Sequence, residues 1–223
     1  MTCNTETAIT QEEPENIQRG RSAIVWLKVF VIFSLIMGLF SEYVAVLLEP
    51  YANLAEKEAI EAMQTMGISS AITILSFILL IFITCIVIFI TLFKCCKWLY
   101  INIKTLRKFT STKFSPGAAV VLTLIPWICG FFDYYIFKDI LAQQEQVLKA
   151  RNAKFVALKP GLLKWIFILT IVFLIPSILY DFLVCRILCL VLLFPFCWLY
   201  IKAMNAMIEN EKTLSNLNES ENP

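Results

Sequence analysis

The chain has 223 residues, of which 59% are hydrophobic and 16% are charged. A soluble domain of this size cannot hide so much apolar surface, because a small globule leaves a large share of its residues exposed to water. A net charge of +2 gives no reason to expect a nucleic-acid partner, and the chain has no histidine, the commonest general base and metal ligand. The composition predicts an all-α, polytopic transmembrane helix bundle with no cofactor and no metal site.

Polar residues occupy both ends of the chain. The first 22 residues carry four glutamates followed by Arg19 and Arg21, and they lack the early apolar core of a cleaved signal peptide. We therefore expect a polar cytoplasmic tail over residues 1–22, a single transmembrane domain over 23–208 and a polar C-terminal tail over 209–223.

Five apolar segments follow in chain order. They run over Ala23 to Leu48, Ser69 to Phe93, Phe114 to Phe132, Trp165 to Tyr180 and Ile187 to Ile201. As a helix the second would span roughly 37 Å, enough for a tilted membrane crossing. The third is interrupted by Pro126 and Gly130, and Ser115-Pro116 near its start is typical of a helix N-terminus. The fourth and fifth are separated by a short turn, which predicts an antiparallel pair.

Lys and Arg predict the orientation, because cytoplasmic loops are enriched in them. The loop after the first segment holds four glutamates against Lys57 and should lie outside. The stretch from Lys94 to Lys113 holds six basic residues and no acid, so it should face an anionic inner leaflet. The loop after the third segment is also strongly basic.

Two topologies follow from these charges. If the third segment dips into the membrane and returns, every strongly basic loop is cytoplasmic. We therefore favour four spanning helices plus a re-entrant or broken third segment, with the N-terminus in the cytoplasm. The alternative has five spanning helices and places the C-terminus outside.

Ionisable side chains at membrane depth are costly, so each is a candidate functional residue. Asp133 follows the Pro126–Gly130 break and precedes Tyr134 and Tyr135. A buried carboxylate there would bind a cation or relay a proton, and we take Asp133, Tyr134, Tyr135 and Pro126 as the candidate pathway or polar site. The alternative is an acid at the segment's end that Lys138 or the interface satisfies.

Three other charged residues have simpler interpretations. Glu42 should be solvated near the outer interface, and Asp181 and Arg186 should cap or pair across the turn between the last two segments.

A Trp-Leu-Tyr-Ile string occurs twice, at residues 98–101 and 198–201. Trp and Tyr favour the membrane–water interface, so we interpret Trp98, Tyr100, Trp198 and Tyr200 as interfacial anchors. Both copies close an apolar segment, which fits the four-crossing topology if they lie at the same face.

The stretch from Trp98 to Ile140 resembles the bacterial membrane-protein family called domain of unknown function 4328. The shared features are a Trp-x-Tyr string (Trp98 and Tyr100) and a basic stretch with a Leu (Leu106). A Ser-Pro pair (Ser115 and Pro116), an aliphatic-Pro pair (Ile125 and Pro126) and a late acid (Asp139) follow. Cys129 and Asp133 stand near the places where the family tends to carry an Asn and a second proline. The resemblance implies a bacterial inner-membrane protein and no particular activity.

No Gly-rich phosphate loop, His-Glu-x-x-His string or nucleophile motif occurs, so we do not expect an enzyme. The sequence favours a binding or scaffold component of the bacterial inner membrane, whose partners beyond the lipid bilayer would be an unknown membrane protein or further copies of itself. The alternative is a subunit of a small-solute or ion transporter or channel, in which the broken third segment lines the path.

Overall fold

The computed structural model describes residues 14–49, 67–125, 129–178 and 183–221. Within these ranges the chain is all-helical, as predicted, and contains no strand. The helices are α1 Glu15–Leu48, α2 Ile68–Leu106, α3 Pro116–Leu124, α4 Cys129–Ala150, α5 Pro160–Ile178 and α6 Leu183–Glu221. Two residues of the sequence predictions, Pro126 and Asp181, lie outside the described residues.

Helices α1, α2 and α6 are long and apolar enough to cross a membrane. In their most apolar windows only 17%, 11% and 17% of residues are buried inside the molecule. Large side chains on α2, such as Leu75, Phe82 and Phe89, are more than 60% exposed. The protein interior does not cover these apolar faces, and this is compatible with a multi-pass membrane protein.

Helix α1 packs antiparallel against both α2 and α6. Thr91 on α2 donates a hydrogen bond to the carbonyl of Trp26 on α1 at 3.2 Å, and near the other end the rings of Phe40 and Phe77 are 5.8 Å apart. Glycines bring α1 close to α6: a Cβ at Gly20 would meet Ile208, and one at Gly38 would meet Leu190. The start of α1 therefore lies beside the end of α6.

Helices α3 and α4 form an antiparallel hairpin around the Pro126–Gly130 interruption. Ser115 caps α3 by accepting a hydrogen bond from the backbone N–H of Ala118 at 3.1 Å, and Pro116 is the first helical residue, which confirms the predicted helix start. Three hydrogen bonds join α4 to α3 and to the loop that precedes α3. In order of increasing distance from the interruption they pair Thr123 with Asp133, the backbone N–H of Lys113 with Asp139, and Thr110 with Gln143.

Helix α4 ends in a turn that fixes the following loop. The backbone N–H of Ala153 donates to the carbonyl of Leu148 at 2.9 Å, and Asn152 adopts the left-handed conformation with φ 53°. This is a common helix C-terminal motif, and Asn tolerates the positive φ better than most residues. The chain then proceeds in extended form to α5.

The buried core lies at the end of the molecule where α1 begins and α6 ends. Its largest fully buried side chains include Trp98, Phe137, Ile17, Ile103 and Met204, and each is at most 2% exposed. The loops 107–115 and 151–159, both strongly basic, lie at the same end, since Thr110 contacts Gln143 and Val156 contacts Asn210. Helix α1 begins before residue 23 and α6 continues past residue 208, so parts of both predicted tails are helical.

Candidate functional site

Asp133 lies on the inner side of the α3–α4 hairpin and is only 4% exposed. One carboxylate oxygen, Oδ1, accepts a hydrogen bond from the hydroxyl of Thr123 at 2.8 Å. The other, Oδ2, accepts one from the hydroxyl of Tyr200 at 2.7 Å. The carboxylate thus joins both arms of the hairpin to α6.

Three elements position this group. Thr123 occupies the last turn of α3, Asp133 the first turns of α4, and Tyr200 the middle of α6. The ring of Phe137, one turn after Asp133 on α4, meets the ring of Tyr200 edge-on with centroids 4.8 Å apart. This contact holds the phenol against α4, because edge-to-face aromatic pairs stabilise one relative orientation.

The partners of Asp133 are neutral. Within the residues that the structure describes, no Lys or Arg forms an ion pair with it. A buried carboxylate without a cationic partner is costly unless hydrogen bonds, a proton or a bound cation compensate for the lost water. Hydroxyl groups both donate and accept, so Thr123 and Tyr200 can contribute oxygen ligands as well as protons.

The sequence predicted that Tyr134 and Tyr135 join Asp133 in one site, but their rings pack against α5 instead. The rings of Tyr134 and Phe167 are 5.6 Å apart, those of Tyr135 and Phe167 are 6.5 Å apart, and Tyr135 is 47% exposed. Lys138 does not satisfy Asp133; its ammonium lies over the Tyr134 ring, 5.8 Å from the centroid. The structure therefore groups Asp133 with Thr123 and Tyr200, and groups the tyrosines with α5.

The two copies of the Trp-Leu-Tyr-Ile string have different environments. Trp98 is 2% exposed and packs in the core near Gly20, whereas Trp198 is 57% exposed. Tyr100 is 43% exposed, whereas Tyr200 turns inward to Asp133. The exposed residues Tyr100 and Trp198 keep the side-chain placement that an interfacial anchor needs, whereas the inward packing of Trp98 and Tyr200 differs from the prediction.

Glu42 pairs with Arg186 across the α1–α6 contact. The guanidinium Nε lies 3.1 Å from a carboxylate oxygen, and both side chains are about three-quarters buried. The sequence predicted that Glu42 is solvated. The structure instead gives it a basic partner, because the antiparallel helices bring Arg186 beside it.

A second polar group, the carboxamide cluster, consists of Asn16, Asn102, Gln144, Asn210 and Glu211. Asn16 and Asn102 donate to the two carboxylate oxygens of Glu211 at 3.0 and 2.8 Å. Gln144 donates to the carbonyl of Met207 at 3.1 Å. Asn210 exchanges two hydrogen bonds with the backbone of Val156. The cluster connects α1, α2, α4 and α6 where the core is densest.

Sequence reasoning found Asp133 but missed its partners and the whole carboxamide cluster. Thr123 could have been recognised as a candidate from the sequence, because it is a rare polar residue within the third apolar segment. Residues 209–211 did not, because they follow the last apolar segment and were assigned to a tail. Comparison of the chain with family models, curated proteins and solved structures finds no match.

Proposed function

We propose that the chain is a bacterial inner-membrane protein with four crossings, α1, α2, α5 and α6, and that α3 and α4 form a re-entrant hairpin. Support comes from the contact between Asn16 and Glu211 at 3.0 Å, which sets the start of α1 beside the end of α6. That arrangement favours an even number of crossings. Helix α3 has nine residues, or roughly 14 Å, too short to cross a 30 Å hydrocarbon layer.

The function that the site supports best is that of a subunit that binds and passes protons or small cations at Asp133. The observation that carries this proposal is a buried carboxylate whose two oxygens accept, among the described residues, from the neutral hydroxyls of Thr123 and Tyr200. Broken helices that carry polar groups into the membrane are a recurrent way to build transport sites. A chain with so few crossings makes a narrow bundle, so the path would be completed by further copies of the same chain.

Chemically, the carboxylate would act as the exchangeable ligand. A proton or cation neutralises it, and the two hydroxyls, which donate to the empty carboxylate, reorient so that their oxygen lone pairs face the bound ion. Helix α3 ends beside it at Leu124, so the last carbonyls of α3 lack helical partners, which is tolerated at membrane depth only where protein or water shields them.

The test is transport by the full chain reconstituted in liposomes under a potassium diffusion potential. Proton entry is followed with an internal pH-sensitive dye and sodium entry with a radioactive tracer. We expect uptake of one of these ions above protein-free liposomes, and loss of that uptake in Asp133→Asn, since the amide keeps the shape but removes the negative charge.

Asp139→Asn is the matched control. Asp139 lies on the same helix, is 8% exposed and accepts a hydrogen bond from the backbone of Lys113 at 2.8 Å, which an amide oxygen can also accept. This variant should transport normally. If wild type transports neither ion, or if Asp133→Asn transports as well as wild type, the transport proposal fails and the binding or scaffold role predicted from the sequence gains support.

A further inference from the structure

A set of lysines surrounds the bundle at one level along its length. We call this set the lysine collar; its members are Lys28 on α1, Lys94 on α2, Lys113 just before α3, Lys138 on α4, Lys164 on α5 and Lys202 on α6. Lys94 is partly buried, and the other five side chains are exposed. Each helix therefore carries a member of the collar or, in the case of α3, is preceded by one.

Hydrogen bonds among the helices that run toward the buried core establish this register. Asp133 binds Tyr200 at 2.7 Å, and farther along the same two helices the Gln144 amide binds a carbonyl of α6 at 3.1 Å. Lys138 on α4 and Lys202 on α6 both lie between these two bonds. The two lysines are therefore at the same level.

The bonds of α2 add two further members. Asn102 donates to Glu211 at 2.8 Å, so Lys94, eight residues earlier on α2, is level with the same part of α6. The bond of Thr91 to α1 at 3.2 Å sets the register of the antiparallel pair α1 and α2. It places Lys28 roughly 8 Å farther from the core than its neighbour on α2, which a flexible lysine side chain can span.

Lys113 and Lys164 complete the collar. The backbone N–H of Lys113 donates to Asp139 at 2.8 Å, beside the α4 member. Helix α5 starts from the loop that α6 binds, so it runs opposite to α4. The rings of Tyr134 and Phe167 are 5.6 Å apart, which brings the start of α5 to the level of the collar.

The exposed surface changes from apolar to polar at the collar. On α6 the exposed residues on one side of it include Phe194 and Trp198, which are 53% and 57% exposed. On the other side they include Asn205, Glu209 and Asn216. A helix surface that is apolar up to a lysine and polar after it is typical of the membrane–water boundary.

Aromatic rings lie directly on the apolar side of two collar lysines. The ammonium of Lys202 is 4.8 Å from the ring centroid of Trp198, and that of Lys138 is 5.8 Å from the ring centroid of Tyr134. Trp and Tyr are enriched at the level of lipid headgroups. These contacts therefore hold the ammonium groups at the depth where headgroup phosphates occur.

Within the described part of the chain, no exposed acid offsets the collar at its own level. Asp133 and Asp139 are 4% and 8% exposed, and both accept hydrogen bonds from other parts of the hairpin or α6. On α6 the first exposed acid is Glu209, seven residues or roughly 10 Å beyond Lys202. The collar is a continuous positive surface.

This surface differs from the basic stretch that the sequence predicted against the inner leaflet. Lys94 and Lys113, the ends of that stretch, lie in the collar. Lys104 lies ten residues beyond Lys94 on α2, or roughly 15 Å along the helix, on the polar side. The structure replaces one continuous segment by lysines from separate helices.

We propose that the lysine collar binds anionic phospholipid headgroups, of the phosphatidylglycerol class, in the leaflet that surrounds it. Basic side chains near an anionic leaflet attract its lipids, and an ammonium can donate to a phosphate oxygen. A zwitterionic lipid carries its own cation and gains less from the collar. The inference rests on the membrane insertion in the proposed function and is independent of ion transport at Asp133.

The experiment measures which phospholipids the full chain immobilises in phosphatidylcholine vesicles. Trace phosphatidylglycerol or phosphatidylcholine carries a nitroxide near the end of one acyl chain, and electron paramagnetic resonance gives the fraction whose motion the protein restricts. We expect phosphatidylglycerol to associate about twofold to fivefold more strongly, since one basic residue near an anionic lipid surface is worth up to about fivefold. High salt should remove this preference.

Double variants assign the preference to the collar. Lys138→Gln with Lys202→Gln should reduce it by about half or more, whereas arginine at both positions should keep it because the charge remains. The matched control is Lys149→Gln with Lys212→Gln. It removes two positive charges from the same two helices, roughly 15 Å beyond the collar, and should keep the preference.

Four outcomes would overturn the proposal. Wild type could restrict both lipids equally, or its preference could persist in high salt. The preference could survive the loss of Lys138 and Lys202. It could also fall equally in the control pair, which would assign it to the overall charge of this end of the molecule.

The same measurement separates this proposal from the proposed function. Restriction of neither lipid would contradict membrane insertion and the collar together. A preference for phosphatidylglycerol in a chain that transports no ion would support the collar and contradict only transport. Asp133→Asn should keep the preference, because the collar lysines are unchanged.

Discussion

Asp133 shows how a buried acid is accommodated by hydroxyl groups, since none of the described basic side chains pairs with it. Its two oxygens are each engaged by one hydroxyl, from α3 and from α6, so the same bonds that satisfy the carboxylate also fasten the hairpin to the long helix. Removing either hydroxyl leaves a buried oxygen without a donor. The cost of that change is larger than the net worth of the lost bond, because the carboxylate stays desolvated.

Thr123→Val should therefore destabilise the protein. Valine keeps the shape of the side chain and removes only the hydroxyl that Asp133 accepts from. We expect a loss of about 1–3 kcal/mol in the free energy of unfolding, measured by denaturant titration of the purified chain in detergent.

Thr170→Val provides the comparison for that variant. The hydroxyl of Thr170 donates to the carbonyl of Ile166 within its own helix at 2.8 Å, where the carbonyl already has a helical partner. We expect a change below about 0.5 kcal/mol, as for ordinary substitutions away from buried networks. Equal losses in the two threonine variants would contradict the structural role assigned to the Thr123–Asp133 hydrogen bond.

At the scale of the helices, the close approach of α1 and α6 depends on small residues. A Cβ at Gly20 would lie 2.7 Å from Cδ1 of Ile208 and 2.8 Å from Nε1 of Trp98. At Gly38 the nearest atom is a terminal methyl of Leu190, which can rotate away, whereas the buried Trp98 indole at Gly20 has little freedom to move. Gly20 is thus the more demanding of the two contacts.

Gly20→Ala should lower stability by about 1–3 kcal/mol, because the added methyl forces α1 away from Trp98 on α2 and from Ile208 on α6. This penalty exceeds the gain of up to about 1 kcal/mol that alanine brings to a helix interior. Thermal unfolding in detergent measures the change, and the same readout applies to a control at Gly117 on α3.

Nothing lies within 4 Å of a Cβ built at Gly117, so Gly117→Ala should be neutral or slightly stabilising. If Gly20→Ala melts at or above the wild-type temperature while Gly117→Ala behaves as expected, the α1–α6 contact is looser than the geometry indicates.

At the scale of the whole molecule, the bonds between distant parts of the chain bring both basic loops to one end. Residues 107–115 and 151–159 lie where α1 begins and α6 ends, and the carboxamide cluster connects the helices there. The two loops would share one side of a membrane if this end faces the cytoplasm. That arrangement agrees with the enrichment of Lys and Arg in cytoplasmic loops.

Reporter fusions test the four-crossing topology directly. A green fluorescent protein joined after Lys154 or after Pro223 should fluoresce, and alkaline phosphatase at the same positions should be inactive, because both sites should be cytoplasmic. Fusions after Lys57, in the acidic loop, should give the opposite pattern. Phosphatase activity at Lys154 and Pro223 would instead support five crossings.

The sequence by itself predicted an all-helical chain and the order of its apolar segments, but not that α4 continues past Phe132 to Ala150. Apolar length, a proline–glycine interruption and a Ser-Pro start are local properties, and the helix start at Pro116 agrees with what they predicted. The sequence also identified Asp133, because a charge beside an apolar segment is conspicuous whatever its surroundings.

Only the tertiary structure decided which residues meet. Thr123, Tyr200 and the carboxamide cluster acquire their roles from helices that are distant in sequence, such as Asn102 and Glu211, and no local pattern encodes those contacts. A tyrosine at the end of an apolar segment suits both a lipid headgroup and a buried carboxylate. The packing of α4 against α6 selects the second, because it places Phe137 and Asp133 beside the same phenol.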